Sequence, residues 1–239
     1  MSVKKVISQT GSILGRSVSL SEQLASIKST GSDREVKSMM RQCLIAAMNY
    51  QSSSKESLEK SKTLVRKTEY ICEISSRTAA FAAASAMKLK KWNDVNELLQ
   101  MADCSPPAIT SSIRIKSLAE QSKLNEALSE LEKILMFEEE VFCSGNYSIS
   151  DEVLDCLCEA IKSEPESNEK MKRFRNLQRL ITKYGRRTTK TIEEMLFSPI
   201  HLENNISQPF EIDESFVKSK KFDEFVKQVP YFEDKKHTN

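Results

Sequence analysis

Arg77-Thr78-Ala79-Ala80-Phe81 opens a small-residue segment that reaches Met87, and after a polar turn at residues 88–91, Trp92-Asn93-Asp94-Val95 opens a second one through Leu98, Leu99 and Met101. Thirty-two positions later the pattern returns. Residues 109–121 repeat the first segment, Ser122-Lys123 the turn, and Leu124-Asn125-Glu126-Ala127-Leu128 the second, through Leu131 and Leu135. The registers superpose: Phe81 on Ile113, Ala86 on Leu118, Met87 on Ala119, Trp92 on Leu124, Val95 on Ala127 and Leu99 on Leu131. Apolar positions recur three and four apart, the period of an amphipathic helix. Glycine is absent from residues 32–144. One helical hairpin cannot bury its apolar stripe alone, so a hairpin written twice at this period predicts stacked neighbours sharing a continuous core. The expected fold is all-α, an α-solenoid of stacked helical hairpins, with no sheet. Trp92 and Leu124 are expected between those hairpins.

Outward from the two copies, Val36, Met39, Met40, Cys43, Leu44, Ala47 and Met48 have helical spacing, and residues 56–74 continue as a second helix, an earlier and degenerate hairpin. Ser105-Pro106-Pro107 separates the two clear copies, with Ser105 as N-cap and proline in the first turn, where a missing N–H costs nothing. Residues 138–148 read as a loop, and Ser150-Asp151-Glu152 caps a helix through Ile161. Ser163-Glu164-Pro165-Glu166 fits a capping box for a last long helix, which Gly185 ends. On that helix Met171, Phe174, Leu177, Ile181 and Tyr184 form the expected buried stripe. The domain is thus expected over residues 34–200, with a flexible leader over 1–33 and a mostly disordered polar tail over 201–239.

The net charge of +2 conceals a segregation. Residues 1–119 carry 18 basic and 10 acidic side chains, residues 120–166 carry 3 and 13, and residues 167–239 carry 15 and 11. Nine of the basic residues fall between Lys170 and Lys190 with no acid among them. Lys172, Arg175, Arg179 and Lys183 recur three and four apart, and Arg186 and Arg187 follow. A row of cations on one helix face can neutralise successive phosphates with salt-dependent affinity. The same row also suits a solvated face, and the acidic block can instead dock the basic helix or a basic partner protein.

Other chemistry is poorly supplied. The two histidines, His201 and His237, both fall in the expected tail, so no nucleophile–base arrangement is built on the helices. No glycine-rich phosphate loop or HExxH occurs. Six cysteines show no CxxC pair, and Cys156 and Cys158 diverge by about 200° on a helix. No catalytic residue, metal or cofactor is expected, and no apolar run approaches the ~18–20 residues of a membrane span. Residues 1–30 hold four basic side chains, one acid and many serines. That is the composition of a mitochondrial presequence or, equally, of a disordered polar tail.

Ser122-Lys123-Leu124-Asn125-Glu126-Ala127-Leu128 has the cadence of a pentatricopeptide repeat. Three further blocks fall in the order and spacing of a mitochondrial member: residues 76–82 (SRTAAFA), 149–154 (ISDEVL) and 191–199 (TIEEMLFSP). From Met40 to Pro199 the chain resembles that family. The resemblance implies an α-solenoid in the mitochondrial matrix that binds a single-stranded transcript and assists its maturation without catalysis. Family members carry a longer N-terminal portion, so a truncated or reduced chain is expected. The first-helix position that reads bases in such repeats is usually small and polar, and here it holds Phe81 and Ile113. Backbone contact through Lys172, Arg175, Arg179, Lys183, Arg186 and Arg187 is therefore expected in place of a base-by-base code. The alternative function is a protein-binding scaffold, ribosome-associated for instance, that uses the acidic 120–166 surface.

Overall fold

The computed structural model describes residues 12–15, 17–27, 34–65, 72–102, 105–136, 148–165 and 167–201. The chain divides into two units, Met1–Asn205 and Ile206–Asn239; all described residues belong to the first. The expected tail beyond His201 and the loop expected over 138–148, save Ser148, lie outside the described residues.

The described residues are mostly helical. In chain order they form β1 (Ser12–Ile13), α1 (Leu20–Ser26), α2 (Arg34–Ser52), α3 (Lys55–Leu64), α4 (Glu73–Lys88), α5 (Trp92–Gln100) and α6 (Pro107–Glu120). They continue with α7 (Leu124–Met136), β2 (Ile149–Ser150), α8 (Asp151–Lys162), α9 (Asn168–Lys183), β3 (Arg187–Thr188), α10 (Ile192–Leu196) and β4 (Ile200–His201). Helices pair in sequence order, α2 with α3, α4 with α5, α6 with α7 and α8 with α9. The first member of each pair also packs on the first member of the next.

The repeat is written in the backbone as well as in the side chains. Lys90 and Ser122, 32 positions apart, take left-handed φ values of 56° and 58° at the turn of each copy. Each sits in the same double bond. Lys91 N–H donates to Ala86 O at 2.9 Å and Lys90 N–H to Met87 O at 2.9 Å; the second copy has Lys123 to Leu118 and Ser122 to Ala119, both 3.0 Å. This closes orphan carbonyls at the helix end. Gly185 (φ 64°) repeats the motif after α9, with Arg186 N–H on Ile181 O at 2.9 Å.

At the centre lies α4, whose residues from Ile74 to Met87 are buried except Ser75. Its alanines let α2, α3, α5 and α6 approach it from several sides. The other helices bury one stripe each: Val95, Leu98 and Leu99 on α5; Leu124, Ala127, Leu128, Leu131 and Ile134 on α7; Val153, Leu154, Leu157 and Ile161 on α8. Each large apolar side chain buried this way contributes about 1.5–3 kcal/mol before conformational entropy. Leu124 is buried as expected, but Trp92, the first residue of α5, is only half-buried against the core.

Several expectations are corrected. The helix expected over 56–74 stops at Leu64, and Glu73 starts a new one. Pro106, not Ser105, is the N-cap of α6, and Ser105 is buried without a capping bond. Ser163 closes α8 by donating to Glu159 O at 2.9 Å and does not begin α9, whose N-cap is Ser167. Two short ladders replace the expected absence of sheet: β1 pairs antiparallel with β4, and β2 parallel with β3. Residues 12–15 and 17–27, expected in a flexible leader, are built into the domain. Ile13 and Leu14 are buried, and Gln23 fixes them by accepting from Leu14 N–H at 3.2 Å while donating to Val18 O at 2.9 Å. Gly15 (φ 57°) lies so close to Pro199 that a Cβ there would meet its ring at 2.5 Å.

The segment after β3 folds back onto the first helices of the pairs. Arg77, 1% exposed, donates through Nη1 to the carbonyls of Met195 (3.0 Å) and Leu196 (2.9 Å) and to Ser198 Oγ (3.1 Å), closing the C-terminal end of α10. Its Nη2 pairs with Glu73 at 2.6 Å. Phe197 meets Phe81 edge-on at 5.1 Å, and Tyr50 completes a three-ring cluster. Phe81 and Ile113 are fully buried.

Candidate nucleic-acid interface

Helix α9 gathers most of the expected site residues. Phe174, Leu177 and Ile181 at spacings of three and four turn one side inward. Lys172, Arg175, Arg179 and Lys183 then fall within an arc of about 80° on the solvent side, along about 16 Å of helix. All four are exposed. None forms an ion pair among the described residues, and Lys183 Nζ rests 5.6 Å from the Tyr184 ring centroid.

Their neighbours on the same helix are spent internally. Arg173 forms a bidentate pair with Glu132 at 2.8 and 2.7 Å, which raises the guanidinium pKa and holds the Glu132 carboxyl below its ordinary range. Lys170 binds both oxygens of Glu164 at 2.5 and 2.7 Å. The two cations expected beyond the helix also face inward partners. Arg186 is half-buried and donates to Ile134 O, and Arg187 pairs with Asp151. The structure thus brings four of the six candidates together as a bare row and turns the other two toward the domain.

This division has an energetic meaning. Like charges three and four apart destabilise a helix by about 0.2–0.5 kcal/mol per pair. The row contains three such neighbours, Lys172/Arg175, Arg175/Arg179 and Arg179/Lys183, and the one acid on the helix, Glu169, stands three residues before Lys172 without forming an ion pair with it. Arg175 also depresses the pKa of Lys162, although the hydrogen bond from Lys162 to Glu159 dominates and raises it. A row that opposes its own helix gains most from an external polyanion.

The acidic block offers less. Glu132, Glu152, Glu164 and Asp151 are engaged by Arg173, Lys116, Lys170 and Arg187, and Glu130 by Arg114 and Lys133. Much of it docks the domain's own cations.

A cleft of about 520 Å³ opens between Tyr50, Lys88, Lys116, Glu120, Glu152 and the start of α10. Its two cations are both engaged by carboxylates: Lys116 pairs with Glu152, and Lys88 lies 3.5 Å over the Tyr50 ring and 3.7 Å from Glu193. Burial chiefly, with the charge of Glu193 and the hydrogen bond to it, pushes the Tyr50 hydroxyl pKa well up. Burial likewise pushes the Cys43 thiol up to about 12, so it is no nucleophile. Among the described residues no group of three His, Cys, Asp or Glu side chains is placed to hold a metal ion, and no helix is long and apolar enough to cross a membrane.

Periodicity misplaced one residue. Tyr184, expected in the buried stripe, is 57% exposed, and Leu180 one turn earlier is 40% exposed. The signal was Gly185: it makes Tyr184 the C-cap of α9, beyond the last turn whose face periodicity controls. Compared with known proteins, the chain matches no family model, no curated protein and no solved structure.

Proposed function

We propose that this protein is a non-catalytic RNA-binding α-solenoid of pentatricopeptide-like hairpins that holds a single-stranded mitochondrial transcript by its backbone and assists its maturation. Lys172, Arg175, Arg179 and Lys183 contact phosphates. The observation that carries the reading is their isolation: exposed on one face, without ion-pair partners among the described residues, while Lys170 and Arg173 on the same helix are neutralised.

The hairpin order and the turn geometry shared by Lys90 and Ser122 support the repeat reading. The burial of Phe81 and Ile113 beneath neighbouring side chains supports recognition without a base code, since neither ring nor methyl reaches a nucleotide. The pairing of Glu130, Glu132, Asp151, Glu152 and Glu164 with the domain's own cations weakens the scaffold alternative. In the mitochondrial reading, any processing cleavage falls before Ser12, because Ile13 and Leu14 belong to the core.

The test is to crosslink the tagged protein to RNA in cells and sequence what is recovered. The reading expects mitochondrial transcripts; recovery no greater than from an untagged control contradicts it.

A further inference from the structure

Tyr184 is a large ring left in water at the end of a cationic row. It is 57% exposed, Leu180 stands one turn before it on the same helix, and the two form a small apolar surface bordering Lys183 and Arg179. A Cβ on neighbouring Gly185 would meet nothing within 4 Å, and the Tyr184 hydroxyl makes no hydrogen bond among the described residues. One cation, Lys183, lies 5.6 Å from the ring centroid.

We propose that Tyr184, supported by Leu180, is a stacking platform for one base of a single-stranded nucleic acid whose phosphates run along Lys172, Arg175, Arg179 and Lys183. The inference rests on the RNA reading above and adds to it a selectivity for single strands. Single strands are held by a positively charged track that follows the backbone together with aromatic rings on which bases stack. Both parts meet at the C-terminal end of α9, where the exposed ring follows Lys183, the last cation of the row, about a quarter-turn round the helix from it. A duplex keeps its base faces stacked inside, so it meets only the cations and leaves the ring unused.

An anionic membrane surface is the other partner that basic and apolar side chains can serve, and the burial pattern disfavours it. The apolar face of α9, Phe174, Leu177 and Ile181, is consumed by the domain. Only Leu180 and Tyr184 remain for insertion, far short of the continuous apolar face that an interfacial helix buries.

The test measures binding of the full chain to a labelled 15-nucleotide single strand, to the same length of duplex, and to vesicles containing phosphatidylserine. Parent, Tyr184→Phe, Tyr184→Ala and the quadruple K172Q/R175Q/R179Q/K183Q variant are compared. Because Tyr184 is exposed, its variants are expected to melt like the parent. Tyr184→Ala is expected to weaken single-strand binding about 5- to 150-fold without changing the salt slope. Tyr184→Phe keeps the affinity, and duplex binding is unmoved by either. If Tyr184→Ala binds the single strand like the parent while the quadruple variant does not, the platform is overturned and the RNA reading stands. If the quadruple variant also binds like the parent, both fall. If Tyr184→Ala loses vesicle binding and keeps single-strand binding, the platform is overturned in favour of a membrane surface.

Discussion

At the scale of single residues, Arg77 shows how a side chain with no visible role in the sequence can hold a domain together. It stands in a run of small residues and reads as a charge at a helix opening. Its acceptors at Met195, Leu196 and Ser198 lie about 120 positions away, and no local pattern announces them. Buried carbonyls stripped of a donor cost about 1–3 kcal/mol each. Arg77→Met is therefore expected to lower unfolding free energy by about 3 kcal/mol or more in urea titration; a loss under about 1 kcal/mol would mean that the buried Ile192, Met195 and Leu196 and the Phe197 ring hold this segment without it. Glu152 makes a second prediction. Burial raises its pKa, but the hydrogen bond from Lys116, the Ile192 N–H at 3.2 Å and the charge of Lys116 outweigh that, and the carboxyl stays below its ordinary range. A depressed folded pKa gives stability that is present above the unfolded value, near 4.3, and is lost as pH falls through the folded one. Between about pH 5 and pH 3 the parent's melting temperature should thus fall more steeply than that of Glu152→Gln, which begins lower at pH 7. Parallel curves would remove Glu152 from the acid response.

Among elements, legibility followed the period. The inward stripe of α9 and the outward row of cations both recur at 3.6 residues, so sequence spacing placed them correctly. Tyr184 was misplaced because the helix ends there, and the end is set by backbone geometry that apolar spacing does not encode. The turns carry the same lesson. Lys90 and Ser122 hold left-handed φ values without being glycine. The left-handed region costs an L-residue about 1–2 kcal/mol, while glycine gives back roughly 0.4–1 kcal/mol through the freer unfolded chain. Lys90→Gly and Ser122→Gly are accordingly expected each to stabilise the protein by about 0.5–1 kcal/mol in urea unfolding. Gly185→Ala, where a Cβ meets nothing, should destabilise it by a similar conformational amount. If the first two variants destabilise, the turns are not the shared structural unit that their geometry indicates.

For the described molecule as a whole, local repetition was readable and long-range closure was not. The 32-residue spacing is a property of neighbouring residues, so the paired helices followed from it. The return of residues 191–201 onto α2 and α4 and the two short ladders join positions 38 to nearly 190 apart. Nothing in their composition marks a partner. The candidate site was legible in outline for a related reason: charge segregation appears in a count, whereas which cations are neutralised depends on Glu132, Glu164 and Asp151 arriving from other elements.

The central claim is that the unneutralised row on α9 grips RNA by its phosphates. Its most direct test is the dependence of log K on log salt for a single-stranded RNA, measured for the parent and for K172Q/R175Q/R179Q/K183Q with helical content checked by circular dichroism. Each released counterion contributes roughly −0.7 to the slope, so four contacts contribute about −2.8. The account predicts a steep slope for the parent, a slope shallower by about that amount for the variant, and unchanged helicity. Equal affinities with equal slopes would contradict it.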